Sequence, residues 1–371
     1  MLDLAARLAL RGLGRVEPNP MAGCVIGRGA EIIGRGHHRA FGGPHAEIDA
    51  LESCRRQGDD PADATAWVTL EPCGHRGKTP ACAEALIAAG IRKVVYARED
   101  PDPSHAGAVL LRAAGVAARL CEASPAATAV TDPFVKRSTT GLPWIICKWA
   151  QTIDGRIATR AGASKWISGD AARARVHRLR GRVDAIITGI GTALADDPML
   201  TARGARPPRR IARRVVIDPE LRLPRDSALA RTAREAPLVV VCGGSAPSSA
   251  HAALTGAGAQ VIEATDGPGG LDLRAAFAQL AARFDITTAM VEAGPGLVGS
   301  LLEADLADTL LVYIAPMVLA DNEAIGPAAG RAAPDLSDGR RFELLRTRVV
   351  GPDVELHYRR ERGAVETGGR S

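Results

Sequence analysis

H-A-E at 45–47, T-L-E-P-C at 69–73 and G-K-T-P-A-C at 77–82 gather one imidazole and two thiols into one short stretch of the chain. His45, Cys73 and Cys82 suit a tetrahedral Zn²⁺ with three protein ligands and a fourth position open for water. Glu47 follows the histidine by two residues, close enough to handle protons without being needed as a ligand. A strand-like run, Trp67–Leu70, leads into the P-C pair. A closed structural zinc site would need a fourth Cys or His, and His75 is near enough to serve. Two ordinary buried thiols are the other plain alternative.

H-x-E, then a strand, then P-C is the order found in zinc-dependent nucleobase deaminases. In that chemistry a zinc-activated water attacks an amidine-like ring carbon and the glutamate carries the proton to the leaving ammonia. Deaminases of nucleosides and nucleic acids usually read P-C-x-x-C, whereas eight residues separate Cys73 from Cys82 here. The insert G-H-R-G-K-T-P-A carries His75, Arg76 and Lys78, polar groups able to grip a phosphorylated substrate. H-A-E followed by T-L-E-P-C-[SG]-H-x-G-[KR]-T-x-x-C resembles the bifunctional riboflavin-biosynthesis deaminase–reductase family, and the second half of the chain tests that likeness independently.

At 371 residues the chain is long for one core and comfortable for two domains. Hydrophobic content of 46% and charged content of 24% are those of an ordinary globular protein. No run approaches a membrane span, and residues 1–12 lack a signal peptide's basic start and apolar middle, so the expected compartment is the cytoplasm. Seven cysteines with no framework spacing fit a reducing environment. Cys24, Cys121, Cys147 and Cys242 fall in strand-like runs and Cys54 in a helix, as small core residues. The net charge of +5 and pI near 9.0 raise nucleic acid as a partner. One local cluster is R-P-P-R-R-I-A-R-R at 206–214; aromatic content of only 3% leaves little for base stacking, so the surplus is read mainly as solvated surface plus a few sites for anionic small molecules. Neither nucleic acid nor membrane is an expected partner.

In the first half, Asp3 caps a helix to about Arg11, ended by Gly12 and Gly14. P-N-P-M-A-G-C-V-I at 18–26 is a rigid loop feeding a strand, and Asn19 between two prolines aims its amide well for the edge of a pyrimidine; a plain loop asparagine is the alternative. Residues 29–36 read as a hairpin turn and second strand. A helix opens at His45, whose free amides and dipole favour developing negative charge. Cys82 falls in the first turn of another helix, with Pro80 at its start and Gly90 at its end, which lowers the expected thiol pKa. Strand 94–97, the loop R-E-D-P-D-P with Asp100 and Asp102, helix 106–114 and strand 116–120 complete an α/β/α pattern. The resemblance adds Asn19, His38, Glu47, His75, Lys78, Asp100 and Asp102 as matches to substrate-contact positions. The chain departs from the family in A-G-A-V after D-P-D-P, about two residues shorter than usual, and in Asp102 where asparagine is commoner.

A helix of about 124–137 runs into T-T-G-L-P-W at 139–144, where the domain boundary is expected: 1–141 as a zinc deaminase domain, 142–360 as a second domain and 361–371 as a disordered tail. Strands are expected at 144–151, 184–192, 214–218, 237–242, 260–263, 287–292 and 309–315, with a helix at 169–180 and helices between several others, giving a mostly parallel sheet. No G-x-G-x-x-G opens the first βα unit, but C-G-G-S at 242–245 and E-A-G-P-G-L-V-G at 292–299 are glycine turns between strand and helix, suited to phosphate. Arg180 and Arg203 read either as surface arginines or as a bidentate clamp on a substrate phosphate.

K-x-A-x-[ST]-x-D-G-[KR]-I-A, S-K-W-I-[ST], D-A-I-x-x-G-x-G-T and A-D-[DN]-P-x-L-T-x-R, in that order, are similar to the reductase half of the same family. The resemblance covers Met1 to about Arg360. It implies a cytidine-deaminase-like α/β/α domain holding one zinc per chain, and a dihydrofolate-reductase-like α/β domain that uses NADPH. It also implies cofactor contacts at Ala150, Trp166, Thr192, Asp196, Gly294, Gly296 and Gly299, and substrate contacts at Ser164, Arg180, Leu200, Arg203 and Glu292. Lys148 and Asp154 lie in the matched stretch without an assigned role. Ala293, Pro219 and Met317 depart from the family's usual glycine, small hydroxyl residue and lysine. The reading is two consecutive steps on one phosphoribosyl-aminopyrimidine: hydrolytic deamination of the ring to a uracil, then reduction of the ribosyl group to ribityl. A homo-oligomer is the expected assembly. The rivals are a zinc deaminase of tRNA or a free nucleoside, and a zinc-stabilised scaffold with a nucleotide-sensing second domain.

Overall fold

Leu238–Gly243 is six consecutive buried residues, the mark of a parallel strand covered on both faces. In the computed structural model, which describes residues 1–75, 81–204, 207–267 and 270–361, such runs build two sheets. Arg76, Lys78 and Pro80 lie outside the described residues, as does the tail from 362. The chain divides into two compact units, Met1–Pro143 with Ala281–Thr287, and Trp144–Leu280 with the chain from Thr288 onward.

The first unit runs α1 (Leu2–Ala9), β1 (Gly23–Arg28), β2 (Glu31–His37), α2 (Ala46–Gln57), β3 (Thr65–Val68), α3 (Cys82–Ala88), β4 (Lys93–Tyr96), α4 (Ala108–Ala113), β5 (Ala117–Leu120), α5 (Pro125–Ala129) and α6 (Asp132–Thr140). Its sheet order is β2-β1-β3-β4-β5, antiparallel at β1 and parallel from β3 to β5. Ile26, Ile33, Cys54, Val68, Leu86, Val94 and Tyr96 form the core on the side of α2, α3 and α4. Leu2, Ala6, Val95, Ala97 and Val130 close the other side. Gly36 lets α2 lie directly on β2, since a Cβ there would meet Ala46 O at 2.2 Å. That close approach brings the start of α2, and so His45 and Glu47, against the sheet. The helix expected at 124–137 is two helices, the second starting at Asp132 with Pro133 in its first turn. The helix expected at 106–114 is a 3₁₀ turn, Pro103–His105, followed by α4.

The second unit runs β6 (Trp144–Gln151), α7 (Asp170–Arg180), β7 (Ala185–Gly189), α8 (Ile190–Asp196), β8 (Arg213–Ile217), α9 (Ala228–Arg231), β9 (Leu238–Gly243), α10 (Ser248–Ala257), β10 (Gln260–Ala264), a two-residue pair β11 (Asp266–Gly267) and β12 (Gly270–Leu271), α11 (Leu273–Phe284), β13 (Thr288–Val291), α12 (Pro295–Glu303), β14 (Thr309–Ile314), β15 (Phe342–Val350) and β16 (Asp353–Arg360). The large sheet has the order β10-β9-β8-β7-β13-β6-β14-β16-β15. It is parallel from β10 to β14, and the hairpin β15–β16 extends it antiparallel. The strand expected over 184–192 stops at Gly189, where α8 begins and carries Thr192 and Asp196.

The basic cluster at 206–214 is not simply solvated surface. Arg214 is fully buried, and its guanidinium donates to the carbonyls of Met199, Thr232 and Ala236 and to Thr232 Oγ1. Arg210 pairs with Asp184, whose carboxylate also accepts from Thr288 N at 2.8 Å. No helix among the described residues is long and apolar enough to cross a membrane.

Candidate functional site

His45 is the N-cap of α2, in extended backbone, so its ring stands in front of the helix while Glu47 sits in the first turn. Cys82 opens α3, and Cys73 lies in the turn after β3, bridged to Ala106. Their ligand atoms all fall within 4.8 Å of one another. His45 Nδ1 is 3.2 Å from Cys82 Sγ and 3.6 Å from Cys73 Sγ. A tetrahedral zinc with ordinary bond lengths separates its nitrogen and sulfur ligands by about 3.5 Å, so the donor set fits the metal in kind and in spacing. Among the described residues no fourth ligand joins this group.

The electrostatics match. The hydrogen bond from the Cys82 thiol, helped by His45 and by Cys82 N, holds the Cys73 thiol well below the ordinary thiol range. The same bond, with burial and Glu47, pushes the Cys82 thiol up, so the pair keeps one proton. The bond to Cys73 raises the His45 ring against the pull of burial. Glu47 is 4% exposed, and burial pushes its carboxyl up to about 7 although His45 opposes the shift. A carboxyl poised there gives and takes a proton near neutral pH.

Asn19 and His38 stand beside this centre as a pair: Asn19 Nδ2 is 3.2 Å from His38 Nε2, His38 Nδ1 is 2.9 Å from Pro44 O, and the His38 ring meets His45 edge-on at 5.5 Å. Burial lowers the His38 pKa, which keeps the ring neutral. His75 is exposed and stacks at 3.9 Å on His105, a histidine the sequence reading passed over. Asp100 is half-buried, and burial raises its carboxyl while Asp102 N donates to it. Asp102 is exposed and accepts from Ser104 N and Oγ at 2.9 and 2.7 Å, so it caps its own 3₁₀ turn. Glu71 of T-L-E-P-C was also missed: it is buried and accepts from Asp100 N and Ala108 N, fastening the aspartate loop to the Cys73 turn. The motif's T-L-E was the available signal.

In the second unit Glu292 directly follows β13 and Lys148 lies on β6. Arg180, the last residue of α7, grips Glu292 through Nε and Nη2 at 2.6 and 3.1 Å, and Lys148 Nζ stands 3.4 Å away. Against its burial, Arg180 and Lys148 hold the Glu292 carboxyl down at about 2. Arg180 also donates to Thr201 O at 3.2 Å. Its fork is therefore occupied, unlike the free phosphate clamp expected of it. Arg203 is exposed, and its backbone N–H donates to His177 Nδ1 at 3.2 Å. Burial first, then Arg180 and Arg203, lower the His177 pKa and keep that nitrogen an acceptor. Leu200, buried, holds a positive φ in the same loop, and Ser164 and Ala150 are half-buried.

Gly294 caps α12 and its N–H donates to Thr192 Oγ1 at 2.9 Å, joining the glycine turn to α8. A Cβ on Gly296 would meet nothing within 4 Å, so the turn is open there. An open amide-bearing turn at a helix start fits a nucleotide phosphate. Gly299 differs: a Cβ there would lie 1.8 Å from Ala329 O, so its bare Cα serves packing. Trp166 is exposed under the Arg173 guanidinium at 4.6 Å, and Asp196 pairs with Lys165 at 3.1 Å. Asp154 accepts from Thr152 Oγ1, Leu319 N and Ala320 N, tying two loops together.

The family described as the cytidine and deoxycytidylate deaminase zinc-binding region matches residues 1–98, and that described as the RibD C-terminal domain matches residues 143–356. The chain is 38% identical to the riboflavin biosynthesis protein RibD of Escherichia coli, over 95% of this chain and 96% of that one. It is 34% identical to the protein of the same name from Aquifex aeolicus, over 97% of each. Among solved structures, Acinetobacter baumannii RibD matches with a TM-score of 0.80 at 33% identity, covering 97% of this chain and 98% of that one. A diaminohydroxyphosphoribosylaminopyrimidine deaminase/5-amino-6-(5-phosphoribosylamino)uracil reductase from Thermotoga maritima matches with a TM-score of 0.79 at 30% identity, covering 97% of each chain.

Proposed function

The chain belongs to the RibD family of riboflavin biosynthesis, a bifunctional deaminase and reductase, and from that premise we propose how its own residues divide the two reactions. The first is hydrolysis of 2,5-diamino-6-(5-phosphoribosylamino)pyrimidin-4(3H)-one to 5-amino-6-(5-phosphoribosylamino)uracil and ammonia, assigned to residues 1–141. The second is NADPH-dependent reduction of the ribosyl group to ribityl, assigned to residues 142–360. The observation that carries the reading is the His45–Cys73–Cys82 group with a buried glutamate beside it, its carboxyl pushed up to about 7.

His45, Cys73 and Cys82 hold the zinc, which when bound supplies Lewis acidity that makes water nucleophilic at neutral pH. Glu47 takes the proton from that water and delivers it to the departing amino group, so the C–N bond breaks as ammonia leaves and a carbonyl remains. Asn19 reads the ring edge, with His38, His75, Asp100 and Asp102 around it; Lys78 lies outside the described residues. In the second domain the turn at Gly294–Gly296, with Thr192, seats NADPH, which when bound supplies hydride. Ala150, Trp166 and Asp196 complete that seat. Glu292, fixed as an anion by Arg180 and Lys148, orients the sugar, and exposed Arg203 meets its phosphate beside Ser164 and Leu200. This step depends on position more than on a strong acid.

In the same reading the enzyme works in the cytoplasm, which free cysteines favour, and assembles as a homo-oligomer. A coupled assay on the diaminopyrimidine phosphate tests the whole: one ammonia should appear per NADPH oxidised. NADPH oxidation without ammonia would refute the order of steps.

A further inference from the structure

His38 matches a substrate-contact position by sequence, yet its ring is committed elsewhere. It is 2% exposed. Its Nδ1 lies 2.9 Å from Pro44 O and its Nε2 lies 3.2 Å from the Asn19 carboxamide nitrogen. A carbonyl oxygen only accepts, so Nδ1 carries the ring hydrogen and donates it. In a neutral imidazole the other nitrogen must then accept, and the Asn19 atom facing it must be the N–H₂ end. The orientation of the amide thus follows from the chemistry of Pro44.

The surroundings hold the histidine in place from both sides. His38 N donates to Ala22 O at 3.0 Å. Its neighbours are fixed by Asp49 on α2, which accepts from His37 N at 3.0 Å and from Arg39 Nε at 3.1 Å. The same ring meets the metal ligand His45 edge-on, so Asn19 stands one ring away from the metal centre.

We propose that His38 is a positioning residue: it touches no substrate, and it fixes the Asn19 carboxamide so that Oδ1 and one N–H remain for the pyrimidine. This rests on the deaminase reading above. A fixed acceptor beside a fixed donor complements the N3–H and 4-oxo edge of the diaminopyrimidinone. An Asn19 free to flip would offer the reverse pattern half the time and would pair donor with donor.

A double-mutant cycle tests this on full-length zinc-loaded chains: wild type, His38→Phe, Asn19→Ala and the double variant. Phenylalanine keeps the ring and removes both polar atoms. Each single variant should keep its zinc and raise the deaminase KM about tenfold, the scale of one hydrogen bond, with kcat changing much less. The double variant should be no worse than Asn19→Ala alone, because both changes remove one interaction. His38→Gln, which retains a donor and an acceptor, should recover part of the loss. If the two effects multiply, His38 binds substrate in its own right and the proposal fails. If His38→Phe sheds zinc, the histidine supports His45 instead, and the proposal fails equally. Should phenylalanine prevent folding, His38→Leu carries the same cycle. A zinc-loaded wild type that releases no ammonia would overturn the deaminase reading itself, a result distinct from multiplying effects in an active enzyme.

Discussion

Glu47 and Glu292 are both removed from solvent, and their carboxyls move in opposite directions. Burial pushes Glu47 up to about 7, against the weaker downward pull of His45. Glu292 is also largely buried, but Arg180 and Lys148 bring it down to about 2. Burial alone therefore does not say what a carboxylate is for; its partners do. The first can exchange a proton near neutral pH, and the second stays an anion.

Substitutions at three positions sharpen that contrast. The largest effect belongs to the ligand set. Cys73→Ser should release zinc and abolish deamination while leaving NADPH oxidation on the aminouracil intact, read by metal analysis and the two separate assays. Persistence of full deamination without metal would break the assignment of the first centre.

Arg203 comes next, since its guanidinium is exposed while that of Arg180 is bound to Glu292. Arg203→Ala should weaken the phosphorylated aminouracil by about ten- to a hundredfold, and Arg203→Lys by less, because lysine keeps the charge and loses the fork. NADPH titration should barely change. A variant that loses NADPH affinity and keeps the aminouracil would show that the two ligands have been exchanged.

The smallest effect is on stability. Glu292 has a folded pKa below its ordinary value, so its ionisation stabilises the fold above about pH 4.5 and that contribution fades as pH falls through about 2. Glu292→Gln should cost on the order of 2–3 kcal/mol at pH 7, and the gap to wild type should narrow toward pH 3. Denaturation followed by tryptophan fluorescence reads it, three of the four tryptophans lying beyond Pro143. A gap constant with pH would mean that the pair's ionisation is not what holds this corner together.

The two regions also differed in how far they were legible. The metal centre was readable because its chemistry sits inside short motifs, H-A-E and P-C, and the apolar runs of β6 to β9 and of β13 and β14 announced a parallel sheet. The hairpin β15–β16 was not, because F-E-L-L-R-T-R-V-V is charged and largely exposed and lacks the continuous burial of the inner strands. Residues that act through partners far along the chain were the hardest. Nothing near Arg180 in sequence says that Glu292, 112 residues on, will occupy its fork. Nor does the cluster at 206–214 show that Arg214 will be buried against carbonyls. Asn19 was picked out, but its bond to His38 needed the fold.

Glu47→Gln gives the most direct test, because it changes one buried carboxyl and leaves every metal ligand in place. The variant should bind about one zinc per chain, and its deamination of the diaminopyrimidine phosphate should fall by about 10²–10⁴-fold. Given the aminouracil instead, it should oxidise NADPH at the wild-type rate. Full deaminase activity in the zinc-loaded variant would contradict the account.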